Sequence, residues 1–229
     1  MKKAVCLLSG GLDSTTSLYF ALKEKFNVVA LTVSYGQLHS KEIEFAKETA
    51  RTLNVPHHLL SVSMPWKGSA LLDSNIPMPV MREESQMAAE IPSTYVPARN
   101  SIFLSLAASC AEAVGAEVLF IGANILDYSG YPDCRPEYFE AFERMIKLGT
   151  KAGAEGRKIK IQAPLLQLNK KQIIEMGRSL HVPFEKTWSC YQGRETPCGD
   201  CDSCRLRAKG FKEAGFADPI LNYAPSSHR

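Results

Sequence analysis

The sequence predicts an α/β fold: a doubly wound, mostly parallel sheet of about five strands, followed by a C-terminal metal-bound extension. Three observations predict it. Short β-branched runs alternate with helix-like stretches from the start of the chain, a double-glycine turn joins the first run to the first helix, and four cysteines crowd together near the end. The 229 residues are 45% hydrophobic and 22% charged, an ordinary globular composition for one large or two small domains. Lys plus Arg is 27 against Asp plus Glu at 24, and no long run of like charge occurs, which argues against a nucleic-acid arm or a membrane-surface helix. The apolar stretch from Ala4 to Leu8 is too short for a signal peptide, and no span approaches the ~20 apolar residues of a membrane helix.

Ala4 to Leu8 reads as a buried strand, and Thr15 to Lys25 as a helix capped by Ser14. Asn27 to Ser34 is a second strand, His39 to Asn54 a charged helix with Ile43, Ala46, Ala50 and Leu53 on one face, and His57 to Val62 a third strand. From Ser63 to Pro97 the pattern dissolves among Pro65, Pro77, Pro79, Pro92 and Pro97, as a lid or mobile segment does. Ala98 to Val114 is an apolar helix and Glu117 to Gly122 a fourth strand. Pro136 to Ala152 is an amphipathic helix with Phe139, Phe142, Ile146 and Leu148 facing inward. Ile159 to Ala163 is the last strand, Lys170 to Leu180 a helix, and Ser203 to Glu213 a final charged helix. These elements divide the chain into an α/β domain over 1–186 and a cysteine-bearing segment over 187–229.

The chemistry concentrates in four places. Ser9-Gly10-Gly11-Leu12-Asp13-Ser14 lies where the first strand hands over to the first helix. Adjacent glycines let backbone N–H groups approach an anion, and the helix adds the positive end of its dipole. Asp13 suits such a site once a divalent cation is supplied. No Gly-Lys-Ser/Thr follows and the G-x-G-x-x-G spacing is absent, so neither a Walker loop nor a dinucleotide fingerprint is present. Cys190, Cys198, Cys201 and Cys204 can close a tetrahedral thiolate shell around Zn²⁺, structural because no ligand position stays open; an Fe–S cluster accepts the same donors. Seven cysteines, an odd number with four in one cluster, suit a reducing cytoplasm better than a disulfide framework. The loop from Gly122 to Arg135, with Asn124, Asp127 and Asp133, follows a strand at the end where open α/β sheets bind ligands. Arg99, at the start of the apolar helix, suits a phosphate or a carboxylate.

SGGLDS after a first strand resembles the PP-loop of the N-type ATP pyrophosphatases, which implies an adenine nucleotide alpha hydrolase-like sheet and transfer of AMP rather than of a γ-phosphoryl group. Taken with the YVPARN segment, the GANxxDxSGYPDCRP loop and the C-x7-C-x2-C-x2-C cluster, in that order, the chain resembles the 7-cyano-7-deazaguanine synthase (QueC) family over nearly its whole length. The resemblance implies an ATP-dependent ligase that converts 7-carboxy-7-deazaguanine and ammonia to the nitrile in queuosine biosynthesis. ATP, Mg²⁺ and one Zn²⁺ per chain, a homodimer, and no nucleic-acid partner go with it. It implies ATP contacts from Leu8, Ser9, Gly10, Gly11, Leu12, Asp13, Ser14, Thr15, Thr16, Ser17 and Leu18 and catalytic roles for Asp13 and Ser14. Residue type and predicted loop position add Arg99 as a catalytic candidate for the substrate carboxylate or the nucleotide phosphate, and substrate contacts from Asn124, Asp127 and Asp133, either aspartate accepting from the amino and ring N–H groups of a deazaguanine. Two rivals stand beside it. A PP-loop enzyme that modifies a tRNA base needs an RNA-binding surface and a reactive cysteine, for which Cys134 is the candidate; a zinc-ribbon binding module does not need the large α/β core.

Overall fold

The computed structural model describes residues 1–82, 90–126 and 131–222. Five parallel strands form one sheet: β1 (Lys3–Leu7), β2 (Asn27–Ser34), β3 (His57–Ser61), β4 (Val118–Phe120) and β5 (Lys160–Gln162), in the order β3-β2-β1-β4-β5. The central β1 shows why the apolar runs are continuous rather than alternating. Ala4, Cys6 and Leu8 enter one core, with Leu18 and Ala21 of α1 (Leu12–Lys23) and Ala46 and Ala50 of α2 (Lys41–Thr52). Val5 and Leu7 enter the other, with Leu104, Ala107 and Ala111 of α3 (Arg99–Val114) and Phe139, Phe142 and Ile146 of α4 (Pro136–Gly149). A strand covered on both faces must be apolar at every position, which is the mark of a doubly wound parallel sheet. The edge strand β3 is correspondingly less buried, with Leu59 39% and Leu60 37% exposed.

The strand order reverses between β1 and β4, so the loops leaving their carboxyl ends diverge and open a crevice, the place where open α/β sheets bind ligands. A short helix, α5 (Lys151–Ala154), leads to β5; α6 (Lys170–Ser179) and α7 (Asp202–Glu213) then close the crevice from the C-terminal side. Asn169 caps α6 through a capping box with Gln172.

The structure alters three sequence expectations. Helix α1 begins earlier, with Gly11 at its N-cap, and Ser14 is not a cap: it lies inside the first turn with its hydroxyl 2.9 Å from that of Ser9. Leu148 is 81% exposed, because it lies about 200° around the helix from Ile146, on the far side from Phe139 and Phe142. The proline-rich segment is not a free lid in its described parts. Met64, Leu71, Leu72 and Val96 are buried against Val33 and Tyr35, and Leu71 O accepts from Leu38 N at 2.9 Å.

Candidate active site at the sheet crevice

A cavity of about 270 Å³ fills the crevice, lined on one side by the glycine turn and on the other by α2, α3 and the C-terminal segment. The turn is held from behind. Thr32 Oγ1 on β2 donates to Leu8 O at 2.6 Å and meets His57 Nε2 at 2.8 Å, so the last residue of the β1 exit is fixed by the neighbouring strands. Gly10 has φ +87°, and a Cβ there would lie 2.1 Å from Glu42 O and 2.7 Å from Ala46 N. Only glycine lets the turn touch the backbone of α2 so closely. Gly122, after β4, makes the matching approach from the other side, where a Cβ would lie 2.8 Å from Ser14 N.

Ser9 N donates to Ser14 Oγ at 3.1 Å and Gly11 N to Ser9 Oγ at 3.2 Å. The loop N–H groups and hydroxyls are thus gathered at the α1 N-terminus, an arrangement suited to an oxyanion. Asp13 sits beside them, and both its oxygens accept from Lys170 Nζ, at 2.7 and 2.8 Å. Lys170 opens α6, and its side chain is 11% exposed. Leu8, Ser9, Gly11, Leu12, Asp13 and Ser14 line the cavity, whereas Thr15, Thr16, Ser17 and Leu18 run on into α1 with none of their surface exposed. Thr16 Oγ1 donates to Leu12 O, and Leu18 packs in the core.

A second, aromatic part of the cavity is formed by Tyr35, Phe103, Tyr131 and Tyr191 around two opposite charges, Arg99 and Glu42. The Arg99 guanidinium lies 5.9 Å from the Tyr35 ring centroid. Burial works against its charge, but Tyr35 and Tyr131 outweigh it and hold Arg99 above its ordinary pKa. Burial also pushes the Glu42 carboxyl up to about 7, against the opposing effects of Arg99 and a hydrogen bond from Gln37.

The other expected substrate contacts are placed differently. Asp127 lies outside the described residues. Asp133 does not line the cavity; its Oδ2 accepts from Asn100 N at 3.2 Å, which supports the first turn of α3. Asn124 lines the cavity but braces its own loop: Nδ2 donates to Leu165 O and Leu168 O, and Oδ1 accepts from Leu126 N. Cys134 lines the cavity as well, and burial together with the nearby Asp133 pushes its thiol up to about 11.

The Sγ atoms of Cys190, Cys198, Cys201 and Cys204 all lie within 4.8 Å of one another, and none of the four is in a disulfide. Cys198 and Cys204 are 3.9 Å apart, close to the about 3.8 Å edge of a tetrahedron with Zn–S bonds of about 2.3 Å. Backbone N–H groups of Gln192 and Cys198 point at Cys190 Sγ, and that of Cys201 at Cys198 Sγ, each at 3.4 Å, the donor pattern that thiolates require. Cys201 and Cys204 also stand at the N-terminus of α7, where the helix dipole favours anions. The residues fit a tetrahedral divalent metal such as zinc.

This cluster is joined to the glycine turn. Trp188 N donates to Gly10 O at 2.9 Å, and Trp188 Nε1 to Cys190 O at 2.9 Å. Arg207, three residues after Cys204, is 4% exposed and clamps the segment: it donates to both oxygens of Asp218 and to the carbonyls of Phe184 and Thr187. The sequence reading missed Lys170, Glu42 and Gln37. Position at the carboxyl end of β2 was the signal available for Gln37; Lys170 and Glu42 read as ordinary charges on helix surfaces.

A model of the family described as queuosine biosynthesis protein QueC matches residues 3–215. The chain is 53% identical over 219 residues to a 7-cyano-7-deazaguanine synthase of Thermoplasma volcanium, covering 96% of this chain and 90% of that one. It is 52% identical over 221 residues to a 7-cyano-7-deazaguanine synthase of Trichodesmium erythraeum, covering 96% and 100%. Among solved structures, a predicted subunit of tRNA methyltransferase from Methanocaldococcus jannaschii aligns with TM-score 0.51 and 15% identity over 99% of this chain and 94% of that one, a likeness of fold.

Proposed function

Because the chain belongs to the queuosine biosynthesis protein QueC family, we propose that it carries out the ATP-dependent conversion of 7-carboxy-7-deazaguanine and ammonia to 7-cyano-7-deazaguanine. The observation that carries the reading is the pairing, in one cavity, of a glycine turn at the sheet switch point suited to an anion with an aromatic compartment that holds the half-buried Arg99 guanidinium.

A carboxylate is a poor electrophile. Attack of a carboxylate oxygen on the α-phosphorus of ATP releases pyrophosphate and makes an acyl-AMP, which ammonia converts to the amide with release of AMP and a proton. The amide oxygen attacks a second ATP in the same way, and elimination of AMP and a proton leaves the nitrile. Both rounds develop charge on the pyrophosphate. Ser9, Gly10, Gly11 and Ser14 are assigned to hold it, and Lys170 neutralises it from the α6 side. Asp13 has the hard carboxylate donor that Mg²⁺ takes, and the ion would supply further charge neutralisation on the phosphates. Arg99 is assigned to the substrate carboxylate, which it orients for attack.

Zinc is the metal assigned to the four cysteines, as a staple that holds Trp188 against Gly10 rather than as a Lewis acid. A homodimer and a cytoplasmic location complete the proposal; family membership supports the first and seven cysteines without a disulfide the second. The rival tRNA-modifying reading needs a thiolate nucleophile, and Cys134 is held as a neutral thiol by burial. The test is AMP formation measured with and without the deazapurine acid and ammonia. AMP release that needs the acid supports the proposal; release indifferent to it, or ADP in place of AMP, refutes it.

A further inference from the structure

After the ATP-handling groups are accounted for, the cavity retains one carboxylate without an assigned task. Its described lining carries two carboxylates, Asp13 and Glu42, and both oxygens of Asp13 face Lys170. Glu42 stands in the first turn of α2, half-buried in the aromatic compartment. Its position relative to the phosphate turn is set by backbone contact, since Gly10 packs directly on its carbonyl. Its carboxylate is aimed by Gln37, whose Oε1 accepts from Tyr35 N at 2.9 Å, leaving Nε2 to donate to Glu42 Oε1 at 3.3 Å. Among the described residues this is the one hydrogen bond its oxygens accept.

We infer that Glu42, held by Gln37, reads the guanine-like edge of the deazapurine, with its oxygens accepting from the ring N1–H and the exocyclic 2-amino group. This rests on the proposed function. A 2-aminopyrimidinone edge presents two adjacent N–H donors, and a carboxylate is the side chain that accepts both. The opposite charge lies in the same compartment, where Arg99 is assigned the carboxylate of the same substrate, and Tyr35 and Phe103, with ring centroids 5.4 Å apart, offer apolar surface to a flat heterocycle. The charge pattern of the compartment therefore complements a planar acid with N–H donors along one edge. Burial raises the Glu42 carboxyl to about 7, and two N–H donors on its ionised form would draw it back down, so binding of such an edge favours the carboxylate. The same site rejects analogues that lack those donors, because the carboxylate is then left buried with its hydrogen bonds unmade.

The experiment is a cycle of substrate against variant. Steady-state AMP formation is measured for the wild-type chain and for Glu42→Gln, each with 7-carboxy-7-deazaguanine and with the analogue that lacks the 2-amino group. The wild type should prefer the amino-bearing acid by about 10- to 100-fold in kcat/KM, mainly through KM. Glu42→Gln should prefer it by no more than about threefold, with KM for ATP unchanged, a pattern that a merely structural role does not give. If Glu42→Gln fails to fold by its thermal melt, Gln37→Ala, which removes the aiming donor, should narrow the preference in the same direction. A wild type active on the acid but indifferent to the amino group, or a folded variant that keeps the full preference, overturns this inference alone. A wild type that forms no AMP with either acid overturns the proposed function and the inference together.

Discussion

Replacing Gly10 with alanine tests the idea that the glycine turn is built by close backbone approach. Two costs act at this residue. An L side chain at φ +87° costs about 1–2 kcal/mol, offset in part by about 0.4–1 kcal/mol from a less flexible unfolded chain. The added Cβ would also lie 2.1 Å from Glu42 O and 2.7 Å from Ala46 N, both backbone atoms that no rotamer change can move aside. Overpacking of this kind costs about 1–3 kcal/mol. The sum is about 3 kcal/mol, which at this chain length lowers Tm by about 6–12 °C. Gly36 provides the control, since its φ is +82° but nothing lies within 4 Å of its Cβ position. Gly36→Ala carries the conformational cost alone and should shift Tm by no more than about 4 °C. Thermal melts of both variants, followed by circular dichroism, measure the difference. Because α2 must move to admit the new methyl group, Gly10→Ala should also lose substrate-dependent AMP formation while Gly36→Ala keeps it. Equal melting temperatures for the two variants would refute the close-approach argument.

Three further outcomes are expected. Asp13→Ala should lower the rate of AMP formation by about 10²–10³-fold, and Lys170→Ala, which removes its partner at 2.7 Å, should lower it as well; wild-type rates in Asp13→Ala contradict the assignment. Metal analysis should find one zinc per chain, and chelation should lower Tm and shift tryptophan emission to the red, because Trp188 is 1% exposed beside the cysteines whereas Trp66 is already 62% exposed; iron with visible absorption contradicts the zinc assignment. The Glu42 pKa is raised in the fold from 4.5 to about 7, so the folded state binds the extra proton and stability falls as pH rises through that interval. Glu42→Gln should therefore melt with the wild type near pH 4.5 and above it at pH 8; no divergence between these pH values refutes the buried-carboxyl reading.

The legible features in the sequence were those written locally. β2 spans Asn27–Ser34 as its β-branched run predicts, and the glycine turn and four-cysteine cluster stand where their spacing places them. Features created by tertiary contact were not legible. Lys170 reaches Asp13 across the chain because α6 packs beside α1, and Glu42 stands at the cavity because Gly10, far from it in sequence and without a Cβ, leaves room for its carbonyl. The same cause redirects Asp133, whose loop position suits a substrate but whose carboxylate is taken by the Asn100 N–H. Thr15 to Leu18, expected from the sequence beside the nucleotide, have none of their surface exposed, because helical geometry turns them inward directly after Ser14.

The proposed reaction activates one carboxyl carbon twice, by adenylating first a carboxylate oxygen and then the amide oxygen. Its most direct measurement is isotope transfer from 7-carboxy-7-deazaguanine labelled with ¹⁸O in both carboxylate oxygens, turned over with unlabelled ATP and ammonia and analysed by mass spectrometry. Two AMP per nitrile, each with one ¹⁸O, is the result expected, since each round expels one carboxyl oxygen on phosphorus. Unlabelled AMP, or label recovered in inorganic phosphate beside ADP, would contradict the account.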